Sequence, residues 1–156
     1  MSKKDLLKQS AYFSELDEKA IDELSQLCKE ESFKSGKIIF NENETAKKFY
    51  IVIEGWVSLK IEEAGSTLST IREKGELFGW ASLVEPYRYT ATALTLADTK
   101  VLSIEAEPFR NNFSQKYLKF ALSFMNKLAQ VINQRLEDSR KQLISSLSGA
   151  KPISQG

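Results

Sequence analysis

The chain is organised around one stretch of its sequence, Phe78-Gly79-Trp80-Ala81-Ser82-Leu83-Val84-Glu85-Pro86-Tyr87-Arg88-Tyr89-Thr90-Ala91-Thr92-Ala93. An aromatic residue and a glycine open the stretch, and this pair suits a tight turn in which backbone comes close to another group. The small and apolar residues that follow predict one turn of helix, whose first N–H groups are free to bind an anion. Pro86 ends that turn, and Arg88 is the only positively charged side chain in the stretch. Together these features predict a cradle for a phosphate or a carboxylate.

This stretch resembles the phosphate-binding cassette of the cyclic-nucleotide-binding domain family, in particular its catabolite-activator and fumarate-nitrate-regulator type of sensor domain. The family pattern is roughly F-G-E-[LI]-[AG]-L, a few further residues, and then P-R-[TSA]-A-[TS]-V. Phe78, Gly79, Leu83, Ala91 and Thr92 match the pattern without a gap. The resemblance implies a regulatory module that binds a small anionic or nucleotide-like ligand.

Two positions depart from the family pattern where the nucleotide is held. The family's glutamate, which holds the ribose 2′-hydroxyl, falls on Trp80, and its arginine, which holds the cyclic phosphate, falls on Tyr89. Arg88 lies one residue earlier and reaches the phosphate only if the loop slips by one place. We therefore expect weak or absent binding of cyclic AMP and cyclic GMP, with a genuine nucleotide site that uses Arg88 as the alternative.

The candidate ligand-binding residues are those of the cassette, namely Phe78, Gly79, Trp80, Ala81, Ser82, Leu83, Arg88, Tyr89, Thr90 and Ala91. Trp80 can stack on a flat ligand or fill the pocket itself, because apolar packing is the commoner fate of aromatic side chains. Arg88 can hold an anion or lie in solvent, and we favour the anion because a free helix N-terminus is predicted beside it. Alternate residues of a strand point to opposite sides, so we expect only one of Arg88 and Tyr89 to face the pocket.

Short apolar segments separated by turn residues occupy roughly residues 30–105. This pattern predicts a mainly β fold, an antiparallel jelly-roll-like β-roll, with an N-terminal helix before it and a long helix after it. Asp17 precedes an amphipathic helical pattern and is expected to cap that helix. The run Val57–Ile61 alternates apolar and polar residues and predicts a half-exposed strand. No strand–helix–strand alternation is present, which argues against a parallel sheet.

The long C-terminal helix carries two apolar stripes. The first alternates at spacings of four and three, which defines a heptad seam, and its large apolar members are Leu118, Leu122, Met125, Ile132, Leu136 and Leu143. The second stripe is Phe120, Phe124, Leu128 and Val131. A helix with two apolar stripes needs two partners. We expect the aromatic stripe to cover the roll and the heptad seam to form a homodimer, with internal packing of the seam as the alternative.

We assign residues 1–147 to one domain that includes the long helix and residues 148–156 to a flexible tail. Members of the family that regulate transcription carry a helix-turn-helix after the long helix. The residues that follow the helix here are too few for two helices and a turn, so we expect no DNA-binding module.

Composition narrows the setting and the partners. The chain has 156 residues, of which 42% are hydrophobic and 28% charged, as in a single soluble domain. Its net charge of +1 gives no electrostatic reason to expect nucleic acid or an anionic membrane as a partner. The sequence shows no bilayer-spanning run and no secretory signal, which favours the cytoplasm. The single cysteine, Cys28, falls in a helical apolar pattern and is expected to be a buried hydrophobe.

The chain contains no histidine, and this excludes several kinds of site. Triads that use histidine as base, the histidine-rich metal site of cupins and histidine-ligated haem cannot be built. We expect no metal and no cofactor. Three functions remain: a small-molecule sensor module, a ligand-free dimerisation domain with a filled pocket, and an enzyme on a β-roll. The enzyme is the weakest of the three, because no general base or nucleophile can be named.

Overall fold

The structure is a computed structural model that describes residues 1–61 and 66–149. The strands are β1 (Cys28–Phe33), β2 (Ile38–Phe40), β3 (Lys48–Glu54), β4 (Val57–Ile61), β5 (Ser66–Ile71), β6 (Leu77–Phe78), β7 (Thr92–Thr95) and β8 (Thr99–Glu105). They form two four-stranded sheets with the orders β1-β8-β3-β6 and β2-β7-β4-β5. Every strand pair in these sheets is antiparallel. The predicted β-roll is confirmed.

Helices flank the roll at both ends of the chain. They are α1 (Lys3–Gln9), α2 (Glu18–Ser25), α3 (Ala106–Pro108), α4 (Ser114–Lys116) and α5 (Leu118–Gly149). The Asp17 carboxylate accepts a hydrogen bond from the Ala20 N–H at 2.9 Å, which confirms the predicted N-cap of α2. A π-helical turn, Phe109–Phe113, joins α3 to α4. None of the described helices is long and apolar enough to cross a membrane.

Two hydrophobic cores divide the interior. The first lies between the helices and the sheet that contains β3 and β8, and the second lies inside the roll. Cys28 belongs to the first core, but it begins β1 rather than continuing a helix, so the predicted helical setting is wrong. The chain leaves its helical path after Leu24, whose carbonyl accepts a hydrogen bond from the Cys28 thiol at 3.2 Å. Burial raises the pKa of this thiol to about 12.

The burial of β4 also differs from the alternation that its sequence suggests. Val57, Ser58 and Leu59 are all buried, so the first half of the strand is covered on both faces. β4 lies in the middle of its sheet, between β7 and β5. Ser58 pairs with Leu94 of β7 and Thr70 of β5, and in this central position its side chain is only 1% exposed.

Helix α5 has 32 residues and is about 48 Å long. Phe120, Phe124 and Leu128 are buried in the first core, which confirms that the aromatic stripe covers the roll. The heptad seam is largely exposed, with the exception of Ile132, which packs partly against the first core. The helix ends at Gly149, two residues into the predicted tail. Residues 150–156 lie outside the described part of the chain.

The turn between β3 and β4 provides a test of the fold. Gly55 has φ +122°, and a Cβ at this position would lie 2.6 Å from the Thr99 Cα. We expect Gly55→Ala to lower the free energy of unfolding by about 2–4 kcal/mol, because it adds a backbone clash to an unfavourable φ. Chemical denaturation with urea measures this change.

Gly36→Ala is the matched control. Gly36 also has a positive φ, +83°, but a Cβ there meets no atom within 4 Å. This variant therefore bears only the backbone cost of about 1–2 kcal/mol. Equal losses in the two variants would show that the contact with Thr99 does not constrain the turn.

Candidate functional site

The cassette begins where β6 ends. Gly79 has φ +77° and ψ +22°, a left-handed conformation, and it precedes a 3₁₀ turn, Trp80–Leu83. A Cβ at Gly79 would lie 3.0 Å from Tyr50 Cδ2 and 3.4 Å from the Lys48 carbonyl oxygen. The predicted glycine turn and single helical turn are thus both present, and glycine is required because the backbone lies against β3.

The loop after the helical turn places neighbouring side chains on opposite sides. Arg88 forms an isolated antiparallel bridge with Thr45, so this part of the loop is extended. Tyr89 points inwards and is only 4% exposed. Arg88 is exposed, and its Nη1 donates a hydrogen bond to the Asn43 carbonyl at 2.9 Å. The prediction that only one of the two faces the pocket is met, and the inward residue is the tyrosine.

The Tyr89 phenol is fully engaged with the protein. Its O–H donates to the Lys48 carbonyl at 2.6 Å, and the Lys48 N–H donates to its oxygen at 3.4 Å. The Tyr50 phenol also hydrogen-bonds to it. Burial raises the pKa of both Tyr50 and Tyr89, so both phenols are neutral near pH 7.

Four neighbouring rings lie in the second core, inside the roll, and we call them the aromatic plug: Phe40, Tyr50, Phe78 and Tyr89. Phe40 and Tyr89 stack with ring centroids 3.7 Å apart and an interplanar angle of 11°. Tyr50 stacks on Phe78 at 5.1 Å and on Phe40 at 5.8 Å. The cavity that remains has a volume of about 40 Å³. A water molecule takes about 30 Å³ of liquid and ligand pockets have about 300–1,000 Å³, so this cavity is far smaller than a nucleotide.

The cassette residues have different places around this cavity. Six of the predicted site residues line it: Gly79, Trp80, Ala81, Tyr89, Thr90 and Ala91. Phe78 belongs to the aromatic plug, and the Ser82 hydroxyl donates to the Gly79 carbonyl at 3.0 Å. Leu83 packs in the first core, and Arg88 does not line the cavity.

Sequence reasoning missed two lining residues, Phe40 and Leu59. They lie on β2 and β4, in the sheet that faces the cassette. The two strands were predictable from their apolar composition. No local pattern shows that these two side chains point towards the cassette, which lies far from β2 and β4 in the sequence. Only the stacking of the two sheets brings them there.

Helix α5 reaches the outer side of the cassette through Arg135. The Arg135 Cζ lies 4.8 Å from the centroid of the Trp80 ring, and Arg135 Nη2 lies 4.0 Å from Glu76 Oε2. Burial lowers the pKa of Arg135, and the Glu76 carboxylate opposes that shift. Arg135 follows Leu128 by seven residues, which is two helical turns, so it lies on the same side of α5 as the buried stripe. A charged residue at such a position was the sequence signal for this contact.

A second cavity of about 100 Å³ lies at this contact, between the cassette and α5. It shares Leu59, Trp80, Thr90 and Ala91 with the first cavity. Trp80 therefore borders both cavities. Among the described residues, no group of three or more acidic, cysteine or histidine side chains could hold a metal ion.

Comparison with known proteins agrees with this architecture. Residues 30–116 match the family model described as "Cyclic nucleotide-binding domain". The chain is 25% identical over 109 residues to the CRP-like cAMP-activated global transcriptional regulator of Mycobacterium tuberculosis, covering 69% of this chain and 49% of that protein. It thus spans about half the length of the curated relatives it matches.

Two solved structures extend the comparison. A putative cyclic nucleotide-binding protein from Geobacter metallireducens superposes with a TM-score of 0.76 at 28% identity, covering 87% of this chain and 99% of that one. The sensor domain of the transcriptional regulator DNR from Pseudomonas aeruginosa superposes with a TM-score of 0.71 at 22% identity, covering 86% and 91%. The second similarity concerns the fold alone.

The bonds of the Tyr89 phenol can be tested by removing one atom. We expect Tyr89→Phe to lower the free energy of unfolding by about 1–3 kcal/mol, because it leaves the half-buried Lys48 carbonyl without this donor. Urea denaturation measures the loss. Tyr87→Phe is the control, since it keeps the ring that lies 3.9 Å from the Arg110 guanidinium, and it should change stability by less than about 0.5 kcal/mol. A stability of Tyr89→Phe equal to that of the control would contradict the expected role of the phenol.

Proposed function

The chain belongs to the cyclic-nucleotide-binding domain family, and we propose that it is a regulatory module whose cassette does not hold cyclic AMP or cyclic GMP with high affinity. The family is one of binding and sensor domains, and we assign no catalytic activity to this member. The observation that carries the proposal is the aromatic plug, because it occupies the space inside the roll next to the cassette. We assign the module to the cytoplasm, where its free thiol at Cys28 suits a reducing compartment.

The charge balance of the cassette supports this proposal. The resemblance assigns the cyclic phosphate to the position of Tyr89, and a phenol carries no positive charge. A buried charge without its partner costs about 3–5 kcal/mol. The family's glutamate, which holds the ribose 2′-hydroxyl, is replaced by Trp80. The loss of this charge-assisted hydrogen bond costs about 1.5–3 kcal/mol. At about 1.4 kcal/mol per tenfold change, these losses weaken nucleotide binding by several orders of magnitude.

The position of Arg88 bears on the alternative of a genuine nucleotide site. The mycobacterial relative is described as cAMP-activated, which makes cyclic nucleotides the first ligands to test. For Arg88 to hold a phosphate inside the roll, it would have to release the Asn43 carbonyl and exchange sides with Tyr89. That exchange would break the stack on Phe40 and the bond to Lys48, which favours the outward place of Arg88.

Titration calorimetry with cyclic AMP and cyclic GMP tests the proposal. We expect dissociation constants weaker than about 1 mM for both nucleotides. The double variant Trp80→Glu/Tyr89→Arg restores the family's two side chains and should bind more tightly than the unmodified chain. Circular dichroism establishes that the double variant is folded.

Arg88→Ala is the matched control, and it should leave the titration unchanged. Micromolar or tighter binding of either nucleotide by the unmodified chain would overturn the proposal. If Arg88→Ala then abolished that binding, the alternative site through Arg88 would be the correct one.

We further propose that the module pairs with a second copy of itself along the heptad seam. The exposure of the seam supports this, since Leu122 is 76% exposed and Leu136 is 58% exposed on a helix whose opposite stripe is buried. The exposure of five large apolar residues along one side of a helix is unfavourable in water, and burial against a second copy removes that cost. These residues are Leu118, Leu122, Met125, Leu136 and Leu143. A ligand-free domain that acts only by dimerisation is the second candidate function that this surface favours.

Light scattering on lysine variants tests the dimer. We expect Leu122→Lys/Leu136→Lys to halve the mass, because two charges would be buried at the seam. Ile132 is left unchanged in this variant because it packs against the first core of its own subunit, and a lysine there would also affect folding. Gln130→Lys/Gln134→Lys adds the same charge at two exposed positions outside the seam and should leave the mass unaltered. An unchanged mass in the leucine variant would show that the seam is not the interface.

A further inference from the structure

A further cavity, which we call the α1 cavity, lies between α1, β3 and the turn that precedes β6. Its volume is about 210 Å³, and none of its described lining residues belongs to the cassette. None of them is aromatic or acidic either. Aliphatic residues that belong to the first core or pack against it form its walls: Leu6, Leu7, Ile51, Ile53 and Leu102. The α1 cavity is therefore an aliphatic space at the edge of the first core.

This cavity has a buried end and an exposed end. Leu7 and Leu102 are buried and lie at its floor, whereas Gln9 and Lys74 are exposed and lie at its opening. The polar residue at the inner side, Ser10, has its hydroxyl oxygen engaged by the Tyr12 N–H at 3.2 Å. The space is thus apolar inside and polar only where it meets solvent.

Lys74 is the one charged residue among the described lining residues. Lys4 and Lys8 of the neighbouring helix α1 form ion pairs with carboxylates of α2. Within residues 1–61 and 66–149, the Lys74 ammonium has no such ion pair. Its charge at the opening is therefore available to a ligand.

The size and the walls of the cavity restrict the ligand. An apolar cavity of about 150 Å³ with similar walls stays dry and holds benzene, which has six carbons, so a space of this size accommodates a chain of about six to eight carbons. A cationic head group would be repelled by Lys74, and a neutral chain would make no use of its charge. An anionic head group gains a charge-assisted hydrogen bond at the opening.

We propose that the α1 cavity binds a free medium-chain carboxylate, an unbranched aliphatic acid of about six to eight carbons, with its carboxylate beside Lys74. The chain would lie against the aliphatic walls and bury apolar surface there. This inference goes beyond the proposed function, since the site is separate from the cassette and requires no nucleotide. A longer acyl chain, such as that of a membrane lipid, exceeds the space.

Thermal unfolding of the full chain with increasing concentrations of each probe tests the proposal, because a ligand that binds the folded state raises the unfolding temperature. We expect hexanoate and octanoate to raise the midpoint, with binding about fourfold tighter for each methylene added from butanoate to octanoate. Dodecanoate should bind no more tightly than octanoate. Hexylamine, which has the same chain length as hexanoate and the opposite charge, should bind more weakly than hexanoate.

A charge reversal at the opening tests the role of Lys74. Lys74→Glu should weaken hexanoate binding about fivefold and strengthen hexylamine binding, so that the preference between the two probes inverts. Lys141→Glu makes the same change at an exposed lysine of α5 that does not line the cavity, and it should leave both affinities unaltered.

A larger side chain inside the cavity tests the place of the chain. Leu6→Phe reduces the space and should remove the gain in affinity from hexanoate to octanoate. Ile38→Phe, at an exposed position of β2 outside the cavity, should keep that gain. The proposal is overturned if neither hexanoate nor octanoate raises the midpoint, if hexylamine acts as well as hexanoate, or if dodecanoate binds more tightly than octanoate. It is equally overturned if Lys74→Glu behaves like Lys141→Glu, or if folded Leu6→Phe behaves like Ile38→Phe.

Discussion

The hydrogen bond from the Tyr89 phenol to the Lys48 carbonyl connects the cassette to the centre of the roll. This bond holds the Tyr89 ring against Phe40, which belongs to the opposite sheet. The Tyr89 phenol also has the Tyr50 phenol as a hydrogen-bond partner. The small size of the interior cavity and the outward direction of Arg88 both follow from the position of the Tyr89 ring inside the roll. Since neighbouring residues of an extended segment alternate in direction, moving Tyr89 out is required before Arg88 can move in.

A tyrosine at this position changes the electrostatic requirement of the interior. A buried guanidinium needs an anion beside it, because an unpaired charge is costly in a low-dielectric setting. A phenol needs only neutral hydrogen-bond partners, and the backbone of β3 supplies them. The interior of this roll is therefore satisfied by the protein itself, and the charged groups near the cassette lie on its outer side, where α5 contributes Arg135.

Helix α5 contacts both the first core and the cassette. Its buried stripe completes the first core, and Arg135, on the same side of the helix, contacts the cassette at Trp80 and Glu76. The large apolar residues of its heptad seam are exposed, apart from Ile132, which packs against the first core. One continuous helix therefore carries both the contact with the cassette and the exposed apolar residues of the seam.

Local sequence determined the elements of this protein. Glycine was needed at Gly79 because its φ is positive, Asp17 capped its helix, and the period of apolar residues in α5 separated a buried stripe from an exposed one. These features depend on residues close in the chain, so short patterns predict them. Tertiary structure decided the rest: that Cys28 begins a strand, that Ser58 is buried, that Tyr89 rather than Arg88 faces Phe40, and that Arg135 reaches Trp80. Each of these depends on which side chains from distant segments compete for the same space, and that competition is settled only when the two sheets and the long helix pack together.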